Sequence, residues 1–596
     1  MPTYSAPQQE YRFIVRRFLG LERFACLPGY EDSSPETLNA FLDGAARVCE
    51  GVAQPLNQSG DKEGCRWHDG AVSTPKGFKE AYRQFVDGGW VGLGFAPEDG
   101  GKGLPGVFAE IFSEMLCSAN MAFSGYIELS EAVLAAVRTH GDAVQKSLYL
   151  SKLASGEWTG AMHLTEAHAG SDLRLLKTRA VPQPDGSYRI HGSKSFITNA
   201  EHDLAENIVH LVLARIPGSP AGSGGLSLFI VPKFRPEADG SLGARNAIEC
   251  VSIEHKMGLR AAPTGVIHYD GAVGTLIGEE NQGLRAMFTT VNDARLGVAI
   301  QGLGQAEVAY QNAARYAKER QQGYPIVRGM RGDTQTVAIA AHPDVRRMLL
   351  TMRAFTESAR GLALWVALQI DVADAHPDPA ERARAENLIA LLTPVIKAHF
   401  TDWGSEVANL ALQCFGGYGY VQETGVEQFV RDVRVTQIYE GTNGIQALEL
   451  VRRKLTLDGG QGVAEFFGML SRSIATASSE VRLLPLAQAL DRACSDLRTA
   501  TEWMRERLGS GLLEPAAGAT DYLRLFGLVA LGWVWLEYAL LATRALEEEG
   551  GDRAFFEQKL VVARFYMRRM LPETQLLLQR AQLGSADLMA LADEDL

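Results

Sequence analysis

The feature that most constrains this chain is a change of hydrophobic period, from helical spacing to strand-length runs and back. From about Pro35 to Gly156 apolar residues recur three and four apart, as in Leu38, Phe41 and Leu42 or Val133, Leu134 and Val137, which predicts amphipathic helices. Near Trp158 the pattern becomes short apolar runs between turns: Ser187 to Gly192, Ile208 to Ala214 and Leu226 to Val231. These have strand length and are rich in β-branched and aromatic residues, and Pro182-Gln183-Pro184-Asp185-Gly186 reads as a hairpin connection. Helical spacing returns around Gly283 and lasts to about Leu455, broken at Gly323 to Asp333 and at Asp374 to Pro379, which predicts a bundle of about four long helices. A glycine-rich joint, Asp458-Gly459-Gly460-Gln461-Gly462, opens a last helical region that includes Asp521 to Glu548 and Arg553 to Gln582.

The expected architecture is mainly α with a central β-domain. It divides into a helical domain over residues 1–157, a β-domain over 158–280, a helical bundle over 281–457 and an extra helical domain over 458–596. At 596 residues and 46% hydrophobic, the chain has the apolar material for cores of this size. With 58 Lys+Arg against 71 Asp+Glu, the net charge of -13 disfavours non-specific binding to nucleic acid or anionic lipid.

The seven cysteines are scattered without a Cys-x-x-Cys pair, which suits a reducing compartment. No basic segment leads into an apolar run at the N-terminus, and Leu525 to Leu536, between Arg524 and Glu537, is too short to span a bilayer. The expectation is a cytoplasmic, soluble protein. Trp533, Trp535, Leu536 and Leu540 read as core packing, and Glu547-Glu548-Glu549 as a solvated helix end.

The chemistry centres on Thr436-Gln437-Ile438-Tyr439-Glu440-Gly441-Thr442-Asn443-Gly444-Ile445-Gln446, where one carboxylate stands between an aromatic residue and a glycine. Glycine at 441 leaves the neighbouring backbone uncovered, so an amide there could donate to a ligand oxygen while Glu440 removes a proton. The same residues also read as a helix-initiating turn that carries an acid. A second stretch, Ala161 to Asp172, ends in small and hydroxyl residues whose amides could cradle a pyrophosphate, or form an ordinary turn. There is no Gly-x-Gly-x-x-Gly after a strand and no P-loop.

Four motifs in this helical, β, helical order make the chain resemble the acyl-CoA dehydrogenase family of flavoproteins from about residue 40 to 455. They are Leu164-Thr165-Glu166 with Gly170-Ser171-Asp172; Ser195-Phe196-Ile197-Thr198-Asn199; Gln413 to Gly419; and Arg431-Asp432 followed by Ile438 to Thr442. The tail from about Gly462 resembles that of the extended branch. Tyr4-x-Ala6-Pro7, Arg12-Phe13 and His342 to Arg347 look most like the subgroup acting on 3-methylmercaptopropionyl-CoA.

The resemblance implies FAD as cofactor. Leu164 and Thr165 would line the pyrimidine side of the flavin and Ser171 would meet its pyrophosphate. Phe196 and Thr198 would face the isoalloxazine, and Thr442 would contact FAD near the base. Arg320, Gln413 and Gly417 would reach FAD of the neighbouring subunit, which makes a homodimer the minimum unit. Ser171, Asn292, Arg295 and Gly441 would meet the acyl-CoA.

Two departures from the family pattern concern the flavin pocket. Ala167-His168 follows Thr-Glu where proline is usual, and Phe196 stands where many members have tryptophan. The implied reaction is α,β-dehydrogenation of 3-methylmercaptopropionyl-CoA or another short or medium acyl-CoA. By that resemblance Glu440 would be the base, and an electron-transfer flavoprotein would take the electrons. Ala294 occupies the place of the alternative base, a glutamate before the helix arginine. His163 and His168 read as surface or pocket-lining residues, not metal ligands, and Glu166 as structural. Two other function classes stay open: an acyl-CoA oxidase using oxygen, and a DNA-associated relative that the charge disfavours.

Overall fold

The computed structural model describes residues 2–288, 291–324, 336–548 and 552–596. Two compact units result, one of Met1–Leu42 with Val298–Leu596 and one of Asp43–Gly297.

In the second unit the β-structure starts at Trp158 and ends at Ile277, within a few residues of the limits set by the change of period. Seven strands order as Ile248–Ile253, Thr264–Ile277, Tyr188–Thr198, Arg179–Pro182, Asn207–Arg215 and Trp158–His163, with Leu226–Pro232 pairing both Thr264–Ile277 and Asn207–Arg215. That double pairing closes five strands into a small barrel. Asn207–Arg215 and Leu226–Pro232 are buried almost throughout, so their sequences are nearly continuous apolar runs, interrupted by His210 and Ser227, as expected where both faces are covered.

The two faces serve different cores. Val209, Leu211 and Leu213 pack with Trp158, Val133 and Tyr149 of the helical layer, while Val212 and Ala214 pack inside the barrel with Ile190, Phe229 and Tyr269. The helix Gly106–His140, kinked at Asn120, lies against Trp158–His163 so closely that a Cβ on Gly160 would come within 2.6 Å of Val133. The antiparallel turn over Pro182–Gly186 forms as predicted, with Gln183 N–H donating to Ser187 O at 2.8 Å. A small hairpin, Arg66–His68 with Ala71–Ser73, was not anticipated, although its Asp69-Gly70 turn, with φ of 49° and 77°, is a recognisable hairpin signal.

The first unit is helical. Its long helices are Val291–Glu319 from Val298 onward, Pro343–Ala375 and Pro379–Phe415, followed by Gln461–Ser478, Leu484–Leu508, Leu513–Glu547, Arg553–Arg569 and Thr574–Ala581. Proline at the first position starts two of them, where its missing N–H costs nothing, and Asp378 caps the second by accepting from Ala380 N–H at 2.8 Å. The predicted break at Asp374 to Pro379 lies between them; of the break at Gly323 to Asp333 only 323 and 324 are among the described residues.

The tail is integral to this unit's core. Trp535 donates its indole N–H to Ala354 O at 3.0 Å, and the buried Lys559 pairs with Glu10 and, at 2.8 Å, with Glu357. Leu513–Glu547 is longer than the expected Asp521 to Glu548 and apolar enough to cross a membrane by length and composition. In this fold 89% of its apolar window is buried against its own unit, the property of a core helix.

Candidate active site

In the barrel unit the fold brings the first two motifs together. Leu164 and Thr165 leave the end of Trp158–His163, and Ser195 N–H donates to Thr165 O at 2.9 Å, pinning that exit to the strand that carries Phe196 and Thr198. Gly170 returns beside Thr165, its nearest contact for an added Cβ being the Thr165 methyl at 3.8 Å. Ser171 is exposed and Thr165 and Thr198 are half-buried.

Phe196 is 62% exposed and holds φ of 59°, the left-handed region, and Asn199 follows with φ of 56°. An exposed aromatic ring in a strained backbone conformation is costly, roughly 1–3 kcal/mol for the backbone alone, and such strain gathers at ligand sites. Asn199 is buried with neither end of its carboxamide partnered among the described residues, a state that ligands or ordered water usually resolve. A flat heteroaromatic ring flanked by hydroxyl donors fits these residues.

Glu166, by contrast, is consumed by structure. It is buried and accepts from Lys177 N–H at 2.8 Å, Thr178 N–H at 3.0 Å and the Thr178 hydroxyl at 2.6 Å, and it pairs with Lys194 at 3.1 Å. Burial pushes its carboxyl up, but Lys194 and the Thr178 and Lys177 donors outweigh that and hold it below the usual range. Lys194, fully buried, is pushed down to about 8 by burial against the pull of Glu166, and also donates to Leu164 O at 2.9 Å. His163 bonds the Tyr269 hydroxyl at 2.6 Å, whereas His168 is exposed and faces Leu175 O, so the two histidines share no site.

In the helical unit Glu440 lies between a short 3-10 turn, Arg434–Gln437, and the helix Asn443–Glu449, which Thr442 caps by accepting from Ile445 N–H at 3.3 Å. The helix-initiating turn and the presented acid are thus one structure. Glu440 is exposed, with φ of 53°, and Gly441 follows with φ of 85°. A second left-handed residue needs glycine, and here a Cβ on Gly441 would also meet Gln446 at 2.7 Å.

The turn is gripped from its buried side. Gln446 donates to Glu440 O at 3.1 Å, and Lys397 donates to Gly441 O at 2.7 Å and to Asn443 Oδ1 at 3.0 Å. The Asn443 amide donates to Asp402 at 2.7 Å, and Asp402 also accepts from Gln437 at 2.6 Å. Tyr439 bonds Gln301 through its hydroxyl.

Arg320, Gln413 and Gly417 are exposed and form a separate group at the end of Pro379–Phe415, where the Arg320 guanidinium lies over the Tyr418 ring at 5.9 Å. From Lys397 to Gln413 the helix rises about 24 Å at about 1.5 Å per residue, so this group and the Glu440 turn lie far apart. Arg295 is half-buried, and the side chain of Asn292 lies outside the described residues.

Lys397, Lys194, Asp402 and the orienting roles of Asn443 and Gln446 escaped the sequence reading. The signal for Lys397 was present: a lone charge inside Thr393-Pro394-Val395-Ile396-Lys397-Ala398-His399-Phe400, a run with no exposed face.

Family models match in chain order: acyl-CoA dehydrogenase N-terminal domain over residues 35–157, middle domain over 161–272, C-terminal domain over 281–455, and acetyl-CoA dehydrogenase C-terminal like over 466–592. The chain is 42% identical over 573 residues to 3-methylmercaptopropionyl-CoA dehydrogenase of Ruegeria pomeroyi, covering 96% of each. Among solved structures it is similar to Caenorhabditis elegans ACDH-11 in complex with C11-CoA, with a TM-score of 0.78, 20% identity and coverage of 99% and 95%. It is also similar to a chain of the electron transferring flavoprotein structure of Acidaminococcus fermentans, with a TM-score of 0.57, 27% identity and coverage of 71% and 98%.

Proposed function

Because the chain belongs to the acyl-CoA dehydrogenase family and is an oxidoreductase acting on acyl-CoA, we propose that it converts 3-methylmercaptopropionyl-CoA, or another short or medium acyl-CoA, to the 2-enoyl-CoA. The α-hydrogen leaves as a proton and the β-hydrogen as hydride. FAD, when bound, supplies the hydride acceptor. Glu440 takes the α-proton, and its own backbone amide donates to the thioester oxygen as negative charge develops there, a donation worth roughly 2.7–4 kcal/mol when aligned.

Leu164, Thr165, Ser171, Phe196, Thr198 and Thr442 are assigned to the cofactor, and Ser171, Asn292, Arg295 and Gly441 to the thioester. Arg320, Gln413 and Gly417 are assigned to FAD of the partner in a homodimer, an assignment supported by their distance along the helix from the Glu440 turn. The division into four domains at 157, 280 and 457 and a cytoplasmic location belong to the same proposal.

The observation that carries the base assignment is the Glu440 turn itself. A glutamate held at φ of 53° on a helix N-terminus, exposed while its carbonyl and the next are gripped from behind, is presented and not merely tolerated. The 42% identity to 3-methylmercaptopropionyl-CoA dehydrogenase supports the substrate, and likeness to a chain of an electron transferring flavoprotein structure supports such a protein as electron acceptor.

The test is anaerobic mixing of the purified yellow protein with a panel of acyl-CoAs, following loss of flavin absorbance. Bleaching is expected with 3-methylmercaptopropionyl-CoA and butyryl-CoA. A protein that no thioester bleaches is not this enzyme, and rapid reoxidation by air would replace the flavoprotein acceptor with oxygen.

A further inference from the structure

Lys397 stands in the middle of Pro379–Phe415 with its side chain 0% exposed, and every residue from Thr393 to Thr401 is buried around it. Keeping an ammonium there costs hydration that methionine or leucine would not forfeit, so the charge must be offset by what it holds. It holds the turn of the base from both sides: the Gly441 carbonyl at 2.7 Å, one residue after Glu440, and Asn443 Oδ1 at 3.0 Å, one residue after Thr442. Gln446 also reaches the Gly441 carbonyl, but only at 3.4 Å, so the short bond to that oxygen is the lysine's.

Asn443 is oriented for this contact. Its amide end donates to Asp402 at 2.7 Å and to the Thr401 hydroxyl at 2.9 Å, which turns its oxygen toward Lys397. Glu440, a residue with a Cβ at φ of 53°, keeps that conformation only when surrounding groups over-determine it, and these contacts to its own turn do so.

We propose that Lys397 is a positioning residue: by gripping Gly441 and Asn443 it locks Glu440 in the left-handed conformation from which the carboxylate reaches the substrate's α-hydrogen. The proposal rests on the assignment of Glu440 as base. It assigns Lys397 no contact with substrate or flavin.

Lys397→Met keeps the length and the apolar fit while removing the donor and the charge. Its FAD content and its affinity for an acyl-CoA analogue lacking a removable α-hydrogen are expected to stay parental. The rate of flavin reduction by butyryl-CoA is expected to fall about a hundredfold, the cost of a misplacement of about 1 Å. The isotope effect with α-deuterated butyryl-CoA should rise, because proton abstraction becomes more fully limiting. In a Glu440→Gln background the same change should make no further difference, since positioning acts only through the base. Lys397→Gln, which retains a neutral donor, is read by the same measurements and serves if the methionine variant does not fold.

A parental reduction rate in the folded, FAD-loaded variant overturns the proposal. So does a rate that falls only in parallel with FAD content or analogue affinity, because that marks a general structural role. If Glu440→Gln itself reduces its flavin at the parental rate, the base assignment falls and the positioning role with it. If Glu440→Gln is dead and Lys397→Met is parental, the positioning role falls alone.

Discussion

The Glu440 turn was legible as a candidate site because an acid followed by glycine just before a helix is both a chemical and a conformational signal, and the fold gives that pair two left-handed residues in a row. Replacing Glu440 by glutamine keeps volume and hydrogen bonding but removes the proton acceptor. The expected outcome is a protein that binds FAD and acyl-CoA and does not reduce its flavin in anaerobic mixing. Aspartate keeps the carboxylate but withdraws it by one methylene from a reaction needing its atoms within roughly 3–3.5 Å, so partial activity is expected. The residues that hold the turn were far less visible. Lys397 is 44 and 46 positions from Gly441 and Asn443, and only helix packing places its ammonium on their oxygens.

At the scale of elements, the helix Pro379–Phe415 does two jobs at once. It carries Lys397 to the Glu440 turn, and His399, two residues on, lies against the tail helix Leu513–Glu547. A Cβ on Gly527 would come within 2.3 Å of the His399 ring, so the helices meet backbone to ring. Gly527→Ala should gain up to about 1 kcal/mol of helix propensity and lose about 1–3 kcal/mol or more to overpacking. The overpacking term wins, and a lowered thermal unfolding midpoint is expected; a raised midpoint would show that the crossing relaxes freely. At a second close crossing, a Cβ added to Gly404 would come within 2.6 Å of the Gly302 carbonyl oxygen. The period of the sequence announces that these segments are helices, while which glycine faces which neighbour depends on the crossing and is not written locally.

For the whole molecule, buried histidines contribute to the response to acid. Burial pushes His202 to about 3, with Lys233 and His210 adding, and pushes His399 to about 3, with Arg524 adding. His210 is pushed down to about 4 by burial, against its bond to Ala200 O. Their folded values lie below the ordinary 6.5, so the unfolded chain binds more protons beneath that pH. Their contribution is complete above the unfolded value and is lost as pH falls toward 4 and then 3, by up to about 1.4 kcal/mol per pH unit for each group. The thermal midpoint should therefore drop between about pH 6.5 and 5, and His399→Gln should shallow that slope while lowering the midpoint at neutral pH. Oligomeric state belongs to this scale as well. Tail helices that share the core of the helical unit should cover surface otherwise open to further assembly, so light scattering is expected to find a dimer; a stable tetramer would contradict it.

The sequence by itself determined the kinds of structure and their order. Helical and strand periods repeat over many residues, so the barrel limits near Trp158 and Ile277, the helix break before Pro379 and the acid at 440 could all be read from neighbours along the chain. Core packing of Trp533, Trp535, Leu536 and Leu540 in the tail was legible too, but tertiary structure alone decided which strands close the barrel, that the tail helix Leu513–Glu547 crosses Pro379–Phe415 at Gly527 and His399, and that Lys194 and Lys397 each hold a carbonyl of a candidate-site loop. The physical reason is range. Period, turn chemistry and capping are local energies that neighbouring residues express, whereas an ammonium meeting a carbonyl 44 residues away is fixed by the packing of everything between them.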